Sequence, residues 1–125
     1  MKQENKELLL QDLCARLPYN PMVEYKGETY NVLGISHGRL ILCKPFMSHT
    51  LDEYPPLVQE AKPYLFPLSS MTIKQKVELA NLTCETSSLF ETAIIEIEFY
   101  NKHHIDYRDL IPKGLAKDAT GLNIY

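Results

Sequence analysis

The sequence predicts an α+β fold: an N-terminal helix, a small antiparallel β-meander or incomplete SH3-like barrel, and C-terminal helices packed against it. Three observations carry that prediction. Apolar residues recur at helical spacing between Glu4 and Leu17. Three short alternating runs separated by glycine-containing turns lie between Met22 and Cys43. Two capping signatures, at Thr72 and Ser88, each introduce a helical apolar period.

In the first element Leu10, Leu13, Cys14 and Leu17 mark an apolar stripe, with Lys6, Gln11, Asp12 and Arg16 as the polar positions around it. Pro18 and Asn20-Pro21 stop the helix, because the residue before a proline is biased away from helical geometry. Val23 and Tyr25 then alternate with polar neighbours, Lys26-Gly27-Glu28 turns the chain, Thr29 to Ile35 extends again, and Ser36-His37-Gly38 leads into Leu40 to Cys43. If the first hairpin pairs around Gly27, Val23, Tyr25, Tyr30 and Val32 join on one buried side.

Between Pro45 and Pro67 stand five of the eight prolines, which predicts loop and turns, a single helical turn over Leu57 to Ala61, and a short edge strand around Tyr64 to Phe66. Thr72 with Gln75 forms a capping box for a helix from Ile73 to about Leu82. Its apolar positions Ile73, Val77, Ala80 and Leu82 align only loosely. Ser88 with Glu91 repeats the signature, and Leu89, Phe90, Ala93, Ile94, Ile97 and Tyr100 hold a 3.6-residue period up to His104. The alternation Ile95-Glu96-Ile97-Glu98-Phe99 favours a strand locally, but the longer period and the cap favour helix.

Composition narrows the classes. The chain has 125 residues, 45% of them hydrophobic and 23% charged, values of an ordinary globular chain that predict a single domain over 1–125. Thirteen basic residues are interleaved with sixteen acids for a net charge of −3, so no basic stripe points to nucleic acid. No apolar stretch reaches the ~20 residues of a membrane span, and none at the N-terminus has the form of a secretory signal, so a cytoplasmic location and no membrane partner are expected. Cys14, Cys43 and Cys84 lack paired spacing and are expected to be buried, reduced thiols; no metal site and no cofactor are predicted.

One stretch resembles chemistry. Within NKHHIDYRDLIPKG, residues His103, His104, Asp106, Tyr107 and Arg108 bring two imidazoles, a carboxylate, a phenol and a guanidinium together. Lys102, His103 and His104 sit where a helix C-terminus favours cations, and one histidine should face the core and the other solvent. Adjacent residues on a helix point about 100° apart, so the pair cannot chelate one ion as an i, i+4 pair could. Asp106 is placed to cap a short helix from Tyr107 to Ile111. A catalytic reading would make a histidine the general base, Asp106 its orienting carboxylate and Arg108 an anion holder. No nucleophile motif accompanies it, and Ser69-Ser70 serves better as a helix start, so no catalytic residue is assigned.

Three blocks, DLCARLPY, KPYLFPLSSMT and HHIDYRDLIPKGLA, together resemble a family of short uncharacterised proteins encoded in prophages and mobile elements of gut bacteria. They span most of the chain, whereas Thr83 to Ile97 falls outside the resemblance and would be a variable insert. The resemblance implies a bacterial cytoplasm and an accessory protein that acts by binding host or phage components. It brings no activity, ligand or catalytic residue to carry over.

The leading functional expectation is a non-enzymatic protein-binding accessory module of a mobile element, with Tyr54, Pro55, Pro56 and Tyr64 as interface candidates, since aromatic side chains make good anchors. A nucleic-acid accessory protein is the alternative, using Tyr25 and Tyr30 as stacking faces beside Lys26 and Arg39. An enzyme built on the His103–Arg108 cluster is the third.

Overall fold

Helix α1, Gln3–Arg16, opens the computed structural model, which describes residues 1–45 and 55–125. Its buried face is Leu9, Asp12, Leu13 and Arg16. Cys14, expected in the apolar stripe, is exposed instead, and the two charged residues expected on the polar side are wholly buried. The cause is their i, i+4 spacing, which lets Arg16 and Asp12 neutralise each other inside the protein. A single 3₁₀ turn, Leu17–Tyr19, ends the helix as Pro18 requires.

Strands β1 (Met22–Tyr25), β2 (Glu28–Ser36) and β3 (Arg39–Cys43) form the expected meander. Both connections have two residues, Lys26-Gly27 and His37-Gly38, and all four have positive φ. That is the condition for a type I′ turn, whose twist matches the flanking strands. Val23 pairs with Tyr30, and Val23, Tyr25, Tyr30 and Val32 are all buried in one core with Leu9 and Leu13 of α1. The tyrosines are therefore core, as the alternation indicated.

A 3₁₀ turn at Val58–Glu60 precedes β4, Lys62–Pro67. The sheet order is β3-β2-β1-β4-β5, with β6 also on β4. β4 is thus no edge strand: it pairs antiparallel with β1 and parallel with two dipeptide strands, β5 (Ile105–Asp106) and β6 (Lys117–Asp118). Pro63 and Pro67 remove donors only at their own positions. Between them the N–H of Phe66 donates to His104 O at 2.8 Å, and Leu65 O accepts from Ala119 N at 2.8 Å.

Helices α2 (Ile73–Thr83) and α3 (Leu89–Lys102) form a hairpin joined by residues 84–88. The rival strand over 95–99 is absent, because Ser88 accepts from Glu91 N and starts a helix that runs through it. Thr72 and Gln75 make the full capping box. At Ser88 the box is displaced by one residue, with the Glu91 carboxylate accepting from N and Oγ of Ser87. The hairpin meets the rest of the molecule through the C-terminal end of α3, where Phe99 and Asn101 are buried, whereas α2 buries no side chain. Cys84, in the connection, is exposed like Cys14, and only Cys43 is buried, so the expectation of three buried thiols holds for one. No helix among the described residues is long and apolar enough to cross a membrane.

Candidate functional site

The polar stretch after α3 is organised by a residue from the other end of the chain. Arg16, fully buried, grips Asp12 with two parallel hydrogen bonds, Nε to Oδ2 at 3.0 Å and Nη2 to Oδ1 at 3.1 Å. It also donates to the carbonyls of Tyr100 (3.1 Å) and Ile105 (2.7 Å). A guanidinium is planar and carries five N–H donors, so one side chain ties α1 to the last turn of α3 and to β5. Arg108 adds a longer contact, 3.7 Å, to the same Asp12 oxygen, and its guanidinium lies 4.9 Å from the centre of the Tyr107 ring. The Tyr107 hydroxyl donates to Asn101 Oδ1 at 2.9 Å.

Asp106 is buried and spends both oxygens on backbone: Oδ1 accepts from the N–H of Arg108 and Leu110, and Oδ2 from that of Ile111. It nucleates turns rather than the short helix expected over Tyr107 to Ile111. A carboxylate so occupied does not orient an imidazole, so the acid–base pair of the catalytic reading is not assembled.

The two histidines divide as expected. His103 is partly exposed and lies against Phe99, with ring centres 4.4 Å apart. His104 is buried, has φ of +57°, and stacks on Tyr125 with ring centres 3.6 Å apart and an interplanar angle of 12°. Burial, then the nearby charges of Arg16 and His103, push its pKa down to about 4, so the ring is neutral at pH 7. The Tyr125 hydroxyl accepts from Met22 N (2.9 Å) and donates to Tyr64 O (3.0 Å), and burial holds this phenol above its ordinary range. A cleft of about 450 Å³ opens beside this stack, lined by Tyr19, Asn20, Met22 and Asn31 among others. Among the described residues, no group of three or more His, Cys, Asp or Glu is arranged to hold a metal ion.

The interface candidates fare differently. Tyr64 is buried, 7% exposed, packed with Met22 and Ala119, with its hydroxyl 3.3 Å from Thr29 Oγ1. Pro56 is buried and Pro55 exposed, while Tyr54 lies outside the described residues. The proposed stacking faces, Tyr25 and Tyr30, are buried as well, and Lys26 sits over the Tyr25 ring.

Among the described residues, many of the exposed large apolar side chains lie elsewhere, on the hairpin. Leu89 is 90% exposed, Ile73 81% and Phe90 76%, and Val77, Leu82, Ile94 and Ile97 are also exposed. On α2 the open stripe is Ile73, Val77 and Ala80, and on α3 it is Phe90, Ala93, Ile94 and Ile97. Both follow the i, i+3/i+4, i+7 spacing of a helix face that packs. The faces that turn inward within the hairpin are others: Leu79 and Thr83 on α2, Ile95 and Phe99 on α3, are partly or fully covered. The apolar period of α3 is legible in the sequence as the mark of a helix, without the side to which it turns. Only the structure places it on the outside.

No family model matches the chain, and no curated protein or solved structure shows significant similarity to it. None of these comparisons supports the resemblance to mobile-element proteins.

Proposed function

We propose that the protein is a non-enzymatic protein-binding module that docks through the α2–α3 hairpin, displayed by the α+β body. One observation carries this reading: two well-capped helices expose apolar stripes at packing periodicity, and α2 buries no side chain of its own. An 11-residue helix is too short to be stable in water by propensity alone, so its stability must come from packing of an apolar face. Scattered exposed apolar residues are ordinary, but stripes of this kind mark interaction surfaces. The polar cluster at His103–Arg108 supports the body instead: Asp106 gives both carboxylate oxygens to backbone N–H groups and Tyr107 pairs with Asn101, while His103 Nε2, His104 Nδ1 and Arg108 Nη1 are buried without a hydrogen-bond partner among the described residues.

The test is binding by a surface variant. Phe90→Asp with Ile97→Asp should leave the far-UV circular dichroism and the unfolding midpoint of the body unchanged. The native chain should form a complex, with itself or with another protein, that the variant does not form. If native and variant proteins form the same complexes at the same concentrations, the hairpin is not the docking surface.

A further inference from the structure

Charge along the two open helix faces identifies an occupant. Beside the α2 stripe stand Lys74 and Lys76, both exposed; around the α3 stripe stand Glu91, Glu96 and Glu98. α2 also carries the exposed Glu78, so its two lysines leave its border net basic, whereas the border of the α3 stripe is acidic. Each is what the other needs, but within one chain the two helices already meet through different positions, Leu79 and Ile95 among those that turn inward. The complementary faces are left open together, in equal number, on every copy of the protein.

We infer that a second copy of this chain covers the hairpin, α2 of each copy lying along α3 of the other, so that four helices close over the apolar stripes. This rests on the docking reading above and specifies its partner. The arrangement is isologous: the contact made by α2 on the partner's α3 is repeated by symmetry, so one interface uses both stripes of both chains and leaves neither open. Two hairpins placed this way alternate α2, α3, α2, α3 around a square, the short-loop geometry of a four-helix bundle. The lysines of each α2 then border the glutamates of the facing α3. That pairing sets register and orientation more than affinity, which comes from burial of Phe90, Ile94, Ile97, Ile73 and Val77. A bundle of this kind also gives α2 the burial that its own chain does not supply.

Sedimentation equilibrium tests the inference directly. The native chain at tens of micromolar should show twice the 14.4 kDa chain mass. Phe90→Asp with Ile97→Asp should weaken association by about tenfold or more, as loss of buried anchors does at interfaces. Lys74→Glu with Lys76→Glu, and separately Glu96→Lys with Glu98→Lys, should each weaken self-association at low salt, and the loss should shrink in 1 M salt, where exposed charges are screened within about 3 Å. Mixing the two charge-reversed proteins should restore the dimer as a heterodimer, because acidic α2 then meets basic α3 at one contact and native charges meet at the other. A native chain that remains a monomer at 100 µM overturns the dimer. If such a monomer still forms a complex with another protein that Phe90→Asp with Ile97→Asp abolishes, the docking reading stands and only the choice of partner falls. A native dimer whose charge-reversed variants fail to restore each other overturns the α2-on-α3 pairing.

Discussion

Leu13 and Leu89 are the same residue, both on helices, and the first is wholly buried while the second is 90% exposed. They stand for two regions built on different terms. In the body, α1 and the sheet share one core, a buried ion pair fills four of its own hydrogen bonds, and Asp106 folds the chain after α3 by accepting three backbone N–H groups. In the hairpin, local hydrogen bonds at Thr72 and Ser88 define where the helices begin, and most of the large apolar side chains stay open. The contrast teaches that a region can be fully specified as secondary structure by its own sequence and still lack the burial that would hold it in place. The body closes on itself, and the hairpin leaves its apolar stripes open.

The comparison breaks first at Arg16. Arg16→Met removes the guanidinium that grips Asp12 bidentately and strips the carbonyls of Tyr100 and Ile105 of this donor. An uncompensated buried charge costs about 3–5 kcal/mol, so urea denaturation should show the body near or beyond its stability limit. Replacing the pair together, as Asp12→Leu with Arg16→Met, should recover a large part of the loss, because no charge is then left buried. A single variant as stable as the native chain would show that the junction is not what ties the hairpin end to the body.

A matched pair of truncations sharpens the same contrast. Leu13→Ala should cost about 2–5 kcal/mol of global stability, the range for an apolar side chain removed from a packed core. Val77→Ala should change the midpoint by less than ~0.5 kcal/mol when measured on dilute, monomeric protein, since surface substitutions rarely do more. Equal effects would mean that α2 is part of the cooperative core.

How much of this was legible in the sequence follows from the range of the forces involved. The places of the two tight turns, the burial of Tyr25 and Tyr30 and the N-cap residues Thr72 and Ser88 depend on residues within a few positions of one another and were legible, whereas the type I′ geometry was not read and the capping box at Ser88 is displaced by one residue. The face of α1 was misassigned because charged residues are ordinarily taken as surface. Asp12 and Arg16 at i, i+4 were the available signal for a buried pair, but what makes the burial tolerable is the carbonyls of Tyr100 and Ile105, more than 80 residues away. The place of β4 inside the sheet likewise depends on β5 and β6, two-residue strands with no periodicity to detect. As for the hairpin, a 3.6-residue apolar period says that a face will pack, but not whether its partner is in the same chain.

Acid should act on the body through His104. Its folded-state pKa is about 4, below the ordinary ~6.5, so in acid the unfolded chain binds a proton that the folded one refuses. The contribution is fully present above pH ~6.5 and is lost as the pH falls toward 4. Between pH 7 and 5, above the range of most carboxylates, this amounts to on the order of 1–2 kcal/mol. His104→Asn, which keeps a residue tolerant of the positive φ, should flatten the stability profile over that interval relative to the native chain. An unchanged slope would show that the ring is hydrated enough to titrate normally.

The smallest effect is also the most local. Thr72→Ala deletes the hydroxyl that accepts from Gln75 N at 3.1 Å but leaves the reciprocal bond from Thr72 N to the Gln75 side chain in place. Loss of an N-cap of this type costs about 1 kcal/mol. If the hairpin is a separately stabilised unit, that cost is felt in its own opening reaction and not in the unfolding of the sheet. Amide hydrogen exchange should then quicken roughly fivefold across α2, the equivalent of 1 kcal/mol, while β1, β2 and β4 keep their native rates. The urea midpoint should not move. Slower exchange of α2 at higher protein concentration, in the native chain and the variant alike, would connect this local stability to association. If exchange instead quickens equally in α2 and β2, the helices and sheet unfold as one, and the division between a closed body and an open hairpin does not describe the energetics of the molecule.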